Sequence, residues 1–355
     1  MRGENSISIC KIKRTFFLIL LTLLFVLPHS AAAEDSIKVL MLESPYDRLP
    51  SNSAESIDSL NGKVFINGQF YKGRIRIMKD EMGLYVINIL PFEKYIEGVV
   101  SSEIGEEWEL EALKAQAVIS RTYAAFFKTI NTGKNYHITS STLHQLYKGE
   151  NTDSLVAYAV KATEGEILTY ENFPIKAFYH ATCEGKTEIP EEVWAESYPY
   201  LRSVDCNSKN APFEQWRRKF TFRKIAESLG INRLTDINIS SYTSTGRVRT
   251  LEVILGDLNT PNFTKEINAT DFRRLLGYEE LPSTHFSLTK AGKEIVFSGK
   301  GYGHGVGLSQ WGALEMAKQG NNYTEILTHY YPGTTLINDK EMYTRRLTSK
   351  ELSPE

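Results

Sequence analysis

The chain has 355 residues, with 41 Lys+Arg against 43 Asp+Glu, 41% hydrophobic and 24% charged residues, 24 Gly and 12 Pro. These are globular proportions, and with 19 Tyr and 17 Phe they exclude a disordered, collagenous or low-complexity chain. A net charge of −2 lacks the basic excess of a nucleic-acid binder.

Arg2, Lys11, Lys13 and Arg14 precede an apolar run from Phe16 to Leu27, and Ala31 and Ala33 then supply a small-x-small cleavage pattern. Residues 1–33 read as an export signal, whose apolar core is short for a bilayer span. The expected location is outside the cytoplasm, in a periplasm or at the cell surface, with no membrane attachment after cleavage; an uncleaved N-terminal anchor is the alternative. Cys10 lies ahead of the apolar run and is no lipid-attachment cysteine. Without residues 1–33, 37 basic residues face 42 acidic ones, a net charge of −5.

From 34 to 86 the runs IKVLML, KVFINGQFYKGRIRI and GLYVINIL are rich in β-formers, and Asn67-Gly68 between apolar runs is a hairpin signal. At Pro91 the period changes. Phe92, Tyr95, Ile96, Val99 and Val100 fall at helical spacing, with Pro91 at the first helical position. A second helix is expected from Leu110 to about Lys128, which leaves Glu103 in the connecting loop SSEIGEEWE. Further on, SLVAYAVKATEG closes a helix at Gly165, EILTYENFPIKAFYHAT is a strand with a turn at Asn172, RVRTLEVILG is a strand, and RKIAESLGI and DFRRLLG are short helices. The fold class is therefore α+β.

Cys183 and Cys206 remain after export, with 22 residues between them. Outside the cytoplasm two cysteines commonly form one disulfide, worth roughly 3 kcal/mol for a loop of this size. Yet His180 stands three residues before Cys183, and His180, Cys183 and Cys206 are also a zinc-type ligand set. Both readings stand at this point.

The segment KGYGHGVGLSQWGALEMAKQG alternates Gly301, Gly303, Gly305 and Gly307 with Tyr302, His304, Val306 and Leu308. A period of two predicts an extended segment with one all-glycine face, open to close approach by a ligand or another backbone, and with Tyr302 and His304 projecting together on the other. A helix opening at Leu308 or Ser309 and ending at Gly320 follows. Asn322 and Glu325 form a capping-box pattern for one more helix, stopped by Pro332-Gly333. The run is neither a dinucleotide fingerprint nor a phosphate loop.

Several of these motifs occur together in order: LPFEKYIEGVVSSEI, LEALKAQAVISRTYA, HQLYKG, FYHATCEGKTE, VWAESYPYLRSVDC, and KGYGHGVGLSQWGALEMAKQG with ILTHYYPGT. Over about residues 87–335 the chain resembles the SpoIID/LytB family, exported lytic transglycosylases of peptidoglycan and, in one branch, amidase enhancers. The resemblance implies a catalytic domain at 87–335 in which strands and helices surround a glycan-binding cleft, after a β-rich segment at 34–86 and before a polar tail at 336–355. It implies peptidoglycan glycan strands as substrate, with a cell-wall amidase as partner and no nucleic acid.

By the same resemblance Glu103 matches the catalytic glutamate, with Ser101 replacing the family's usual proline. Arg121 matches a functionally important arginine, and Gln116, Gln310, His304 and Tyr302 fall in motifs lining the same cleft as substrate-binding residues. His180, Cys183 and Cys206 match a metal set found in some members, with Lys186 where such members carry a further histidine; no cofactor is required for the reaction, and a structural zinc is the metal alternative. Chemically, a carboxylic acid held near neutral protonates a glycosidic oxygen. A lytic transglycosylase needs no second carboxylate, because the muramic C6 hydroxyl attacks C1; a hydrolase would need one, for which Glu106 or Glu107 are candidates. Burial beside Val100, Ile104 and Trp108 is expected to favour the protonated form of Glu103. Tyr136, Tyr147, Trp194, Tyr198, Tyr200 and Trp311 offer flat faces, most of them expected in the core.

Overall fold

The computed structural model describes residues 35–45, 57–59, 64–66, 69–79, 83–104, 108–141, 144–149, 154–183, 185–208, 211–257 and 260–338. Residues 1–33, where an export signal is expected, and Glu106 and Glu107 lie outside them. The described residues form two compact units, one within Met1–Glu106 and Ala124–Glu164, the other within Glu107–Tyr123 and Gly165–Glu355.

The first unit begins with strands β1 (Ser36–Pro45), β2 (Ile57–Ser59), β3 (Val64–Ile66), β4 (Gln69–Tyr71), β5 (Arg74–Lys79) and β6 (Gly83–Pro91). Helix α1 (Phe92–Glu103) follows, then α2 (Leu110–Ile130), of which the residues from Ala124 onward belong here, then β7 (Ile138–Thr139) and α3 (Ser154–Ala162). Five strands form one sheet in the order β2-β5-β6-β1-β7, antiparallel except for the β1–β7 pair. Ile66 pairs with Gln69 across the β3–β4 turn, the register a two-residue hairpin gives, while Asn67 and Gly68 themselves are outside the described residues. The expected boundary at residue 87 falls inside β6.

Helix α1 buries the stripe its spacing predicts, Phe92, Tyr95, Ile96, Val99 and Val100. Pro91 is its N-cap, one position earlier than the sequence suggests, with φ −55° set by its ring. The helix also runs further than expected. Ser102 Oγ donates to the Gly98 carbonyl at 2.6 Å, the back-bond by which a serine is accommodated in a helix. Ile104 then turns extended and donates its N–H to Val100 O. Glu103 is thus the last residue of α1 and not part of a loop.

The second unit takes the start of α2 and continues with β8 (Glu166–Tyr170), β9 (Phe173–Pro174), β10 (Tyr179–His180), β11 (Gly185–Lys186), α4 (Pro190–Trp194), β12 (Asp205–Cys206), β13 (Trp216–Thr221), α5 (Phe222–Leu229), β14 (Leu234–Tyr242), β15 (Val248–Asp257), β16 (Thr260–Asn268), α6 (Ala269–Leu276), β17 (Phe286–Ala291), β18 (Glu294–Gly299), β19 (Leu308–Ser309), α7 (Gln310–Lys318), α8 (Tyr323–Tyr330) and β20 (Thr335–Asn338). Asn172, with φ 62°, makes the predicted turn between β8 and β9. Asn322 and Glu325 complete the capping box of α8. The first residues of the expected tail, 336–338, instead pair with β8 as part of β20.

Two cores hold this unit. One joins Val118 and Ile119 of α2 to Leu168, Ile175, Val306, Leu308, Ala313, Ile326 and Tyr330. The other gathers Trp216, Phe220, Ile225, Ile237, Leu251, Phe272 and Phe297 from the antiparallel sheets and their short helices.

Between the cores runs the glycine-alternating segment, and it is not the extended strand expected. All four glycines have positive φ, from 72° to 111°. The period of two survives as isolated bridges, Tyr302 to Thr182, Gly303 to Ser283 and Val306 to Glu188, and as the short pairing of Leu308 with Tyr179 in β19 and β10. At Gly307 a side chain meets two obstacles, a φ of +72° and the Phe178 carbonyl lying well inside van der Waals distance of any Cβ. We expect Gly307→Ala to lower the unfolding free energy by about 2–4 kcal/mol, read as a fall in the urea midpoint. An unchanged midpoint would contradict this packing.

Candidate functional site

In the first unit the carboxyl of Glu103 is half-buried and accepts the Leu146 backbone N–H at 2.7 Å on Oε1. Its neighbour Ser102 accepts the Lys148 N–H at 3.1 Å. Alternate amides of the segment 144–149 are thereby pinned to consecutive side chains at the end of α1. Between them the buried ring of Tyr147 packs at 5.1 Å from Tyr95 and 5.7 Å from Tyr71. Tyr95 Oη donates to the buried Gln145 amide oxygen at 3.1 Å. Gly98 makes room for that ring, since a Cβ there would lie 2.5 Å from Tyr147 Cε2 and 2.6 Å from the Gly149 carbonyl. Val100 and Ile104 beside Glu103 are buried, as expected.

The remaining sequence-derived residues belong to the second unit. Gln116 and Gln310 are brought together: both are buried, and Gln310 Nε2 donates to Gln116 Oε1 at 3.4 Å while Gln116 Nε2 donates to Ser120 Oγ at 3.1 Å. Arg121 is 1% exposed and donates from Nη1 to the Glu166 carbonyl at 3.1 Å, tying α2 to β8. Tyr302 is half-buried, its ring tilted against Phe213 at 4.7 Å and its N–H donated to Thr182 Oγ1. Trp108 and Trp311 meet edge-on at 5.5 Å.

His180 and His304 clamp Val306 with opposite polarity. The Val306 N–H donates to His304 Nδ1 at 3.1 Å, and the Val306 carbonyl accepts from His180 Nδ1, also at 3.1 Å. These bonds place the ring proton on Nε2 of His304, which donates to the Tyr179 carbonyl, and on Nδ1 of His180. Burial, followed by the Arg273 and Arg247 guanidiniums, lowers His304 to about 3. Burial, followed by His304 and Arg247, holds His180 well below the ordinary imidazole value. Both rings are neutral at pH 7.

Cys183 and Cys206 are joined in a disulfide, their Cα atoms 6.2 Å apart and within bridging range. Ser208 Oγ bonds the Cys183 carbonyl at 2.8 Å alongside it. With the two sulfurs bonded to each other neither is a thiolate, so His180, Cys183 and Cys206 as they stand do not form a metal-ligand set.

Three contributors escaped sequence reasoning. Leu146 acts through its backbone, which no residue-type pattern reveals. Gly98 carried a signal, a lone glycine inside an amphipathic helix, which implies a close approach. Phe178, which stacks on Trp194 at 4.7 Å beside His304, stood in an apolar strand indistinguishable from core.

Residues 80–170 match the family described as Stage II sporulation protein, and residues 191–307 match a domain of unknown function. The chain is 32% identical over 279 residues to the stage II sporulation protein D of Bacillus subtilis (strain 168), covering 74% of this chain and 78% of that protein. It is 32% identical over 297 residues to an uncharacterized protein of Brachyspira hyodysenteriae, covering 82% and 77%. It is 30% identical over 290 residues to the amidase enhancer of Bacillus subtilis (strain 168), covering 68% of this chain and 40% of that one. No helix among the described residues is long and apolar enough to cross a membrane.

The neutral histidines set a pH dependence. A histidine whose folded value is depressed stays uncharged in the fold, while the unfolded chain takes up a proton as pH falls through 6.5. The stability is present above that pH and is lost below it, at up to ~1.4 kcal/mol per pH unit for a fully buried ring. His180, 4% exposed, leads, because His304 keeps part of its edge at the surface. His180→Asn, whose amide N–H can replace Nδ1, is expected to flatten the decline in melting temperature between pH 6.5 and 4 relative to wild type. Parallel declines in the two proteins would exclude His180 as a source.

Proposed function

Because the chain belongs to the stage II sporulation protein D family, we propose that it acts on the bacterial cell wall as a lytic transglycosylase of peptidoglycan glycan strands. Glu103 is its acid and base. The observation that carries this reading is the seating of Glu103: its carboxyl is half-buried at the end of α1 and accepts the Leu146 N–H, and the next residue, Tyr147, is held in the notch at Gly98.

In the reaction, the Glu103 proton passes to the oxygen of the MurNAc–GlcNAc bridge as the C1–O bond breaks. The C6 hydroxyl of the same muramic residue closes on C1, and its proton returns to Glu103. The products are a 1,6-anhydroMurNAc end and a new GlcNAc end, with no water consumed. Strands without stem peptides are the proposed substrate, in wall remodelling or sporulation, and the protein works outside the cytoplasm after loss of residues 1–33. Gln116, Gln310 and Arg121 are buried, so in this reading they hold the second unit together and do not touch sugar.

The similarity to an amidase enhancer favours a second reading, in which the protein binds the wall and activates an amidase without cutting glycan. There Glu103 serves only as the acceptor for the 144–149 segment. Glu103→Gln separates the two, because the amide oxygen keeps the Leu146 bond while the side chain no longer titrates. On peptide-free glycan we expect the wild type to release anhydromuramyl ends, detected by mass spectrometry, and the variant to do so at least ~100-fold more slowly with an unchanged melting temperature. Wild-type rates in the variant would remove Glu103 as the acid. Absence of anhydro ends from the wild type would favour the enhancer.

A further inference from the structure

Trp194 is an exposed tryptophan with a built surround. It ends α4, and 36% of it is exposed. Ala195 follows in the left-handed region at φ 58°, turning the chain back, and Ser197 Oγ donates to Glu191 to close that turn. Behind the indole lies Phe178, at 4.7 Å and 31° between planes, with His304 at 5.0 Å to one side. Lys176 Nζ sits 4.9 Å over the Phe178 ring and 5.6 Å over that of Tyr198.

A polar fringe borders this stack. Lys176 Nζ donates to Glu196 Oε2 and to Tyr198 Oη, each at 3.2 Å, and Tyr198 Oη also bonds Glu196 Oε2. The Lys176 backbone N–H donates to Tyr200 Oη at 3.1 Å, so the lysine is anchored at both ends. Glu196 is exposed, and its Oε1 makes no hydrogen bond among the described residues.

We infer that the Trp194 face, backed by Phe178 and bordered by Lys176, Glu196 and Tyr198, binds one N-acetylhexosamine ring of the glycan strand. A pyranose presents a flat face of C–H groups that packs on an indole, while its equatorial hydroxyls and acetamido group point outward in the ring plane, where a carboxylate oxygen and an ammonium can meet them. Size also selects this occupant. One exposed indole ringed by charges is far below the ~1,000 Å² a stable protein partner requires, but matches a single sugar. The inference rests on glycan being the ligand, as proposed above, and is independent of whether the strand is cut.

The test is calorimetric titration of the full chain, in a Glu103→Gln background that prevents turnover, with peptide-free glycan strands and with a β-1,4-linked N-acetylglucosamine hexamer. Trp194→Ala is expected to weaken binding about tenfold or more, in the range of an aromatic stacking contact, and Trp194→Phe to retain most of it. Glu196→Ala changes an exposed fringe residue, leaves the core intact and is expected to weaken binding several-fold, so it decides the matter should Trp194→Ala fail to fold. Unchanged affinity in folded Trp194→Ala, or in Glu196→Ala where the former is insoluble, would overturn the assignment. Trp194-dependent binding by a protein that releases no anhydro ends would uphold this face and remove the transglycosylase reading.

Discussion

A single backbone amide organises the proposed chemistry. Leu146 N–H fixes one oxygen of Glu103, and it can do so only because Tyr147, the next residue, is locked into the notch that Gly98 leaves in α1. The Ser102–Lys148 bond repeats the arrangement on the other side of Tyr147. A general acid must be held to within fractions of an ångström of its proton acceptor. Here the precision comes from a buried aromatic stack of Tyr71, Tyr95 and Tyr147 and not from the flexible glutamate itself.

The second unit follows a comparable logic, with Val306 as its fixed point. One histidine accepts from its N–H and another donates to its carbonyl, which requires two opposite tautomers. Such a pairing is stable only while both rings stay neutral, and burial among guanidiniums ensures that they do. The four left-handed glycines allow the segment to pass close to Phe178, His180 and Arg247, and the disulfide at Cys183 ties down the chain it passes. His304 then forms part of the wall against which Trp194 rests.

Much of this was legible in the sequence where periodicity reports burial. The stripe of α1, the extent of α2, the capping box at Asn322 and the Asn172 turn all appear where spacing and turn chemistry put them. The alternation of glycines does not by itself define a strand, because it is compatible with any period-two backbone; a strand and a chain of left-handed glycines differ in φ, which only neighbouring groups dictate. The sequence puts Glu103 in the loop after α1 because the apolar spacing ends at Val100, whereas the Ser102 hydroxyl bonds back to the Gly98 carbonyl and the helix continues to Glu103. The cysteine pair could not be decided from composition, since spacing alone serves a disulfide and a metal equally well.

The central claim is that one carboxyl suffices, with the sugar's own hydroxyl as nucleophile. Cleavage of peptide-free glycan in water enriched in oxygen-18 tests it most directly. Attack by the C6 hydroxyl gives new muramic ends that are anhydro and carry no heavy oxygen, and that vanish in Glu103→Gln. Reducing ends bearing oxygen-18 would mean that water attacks, that a second carboxylate is at work, and that the proposed mechanism is wrong.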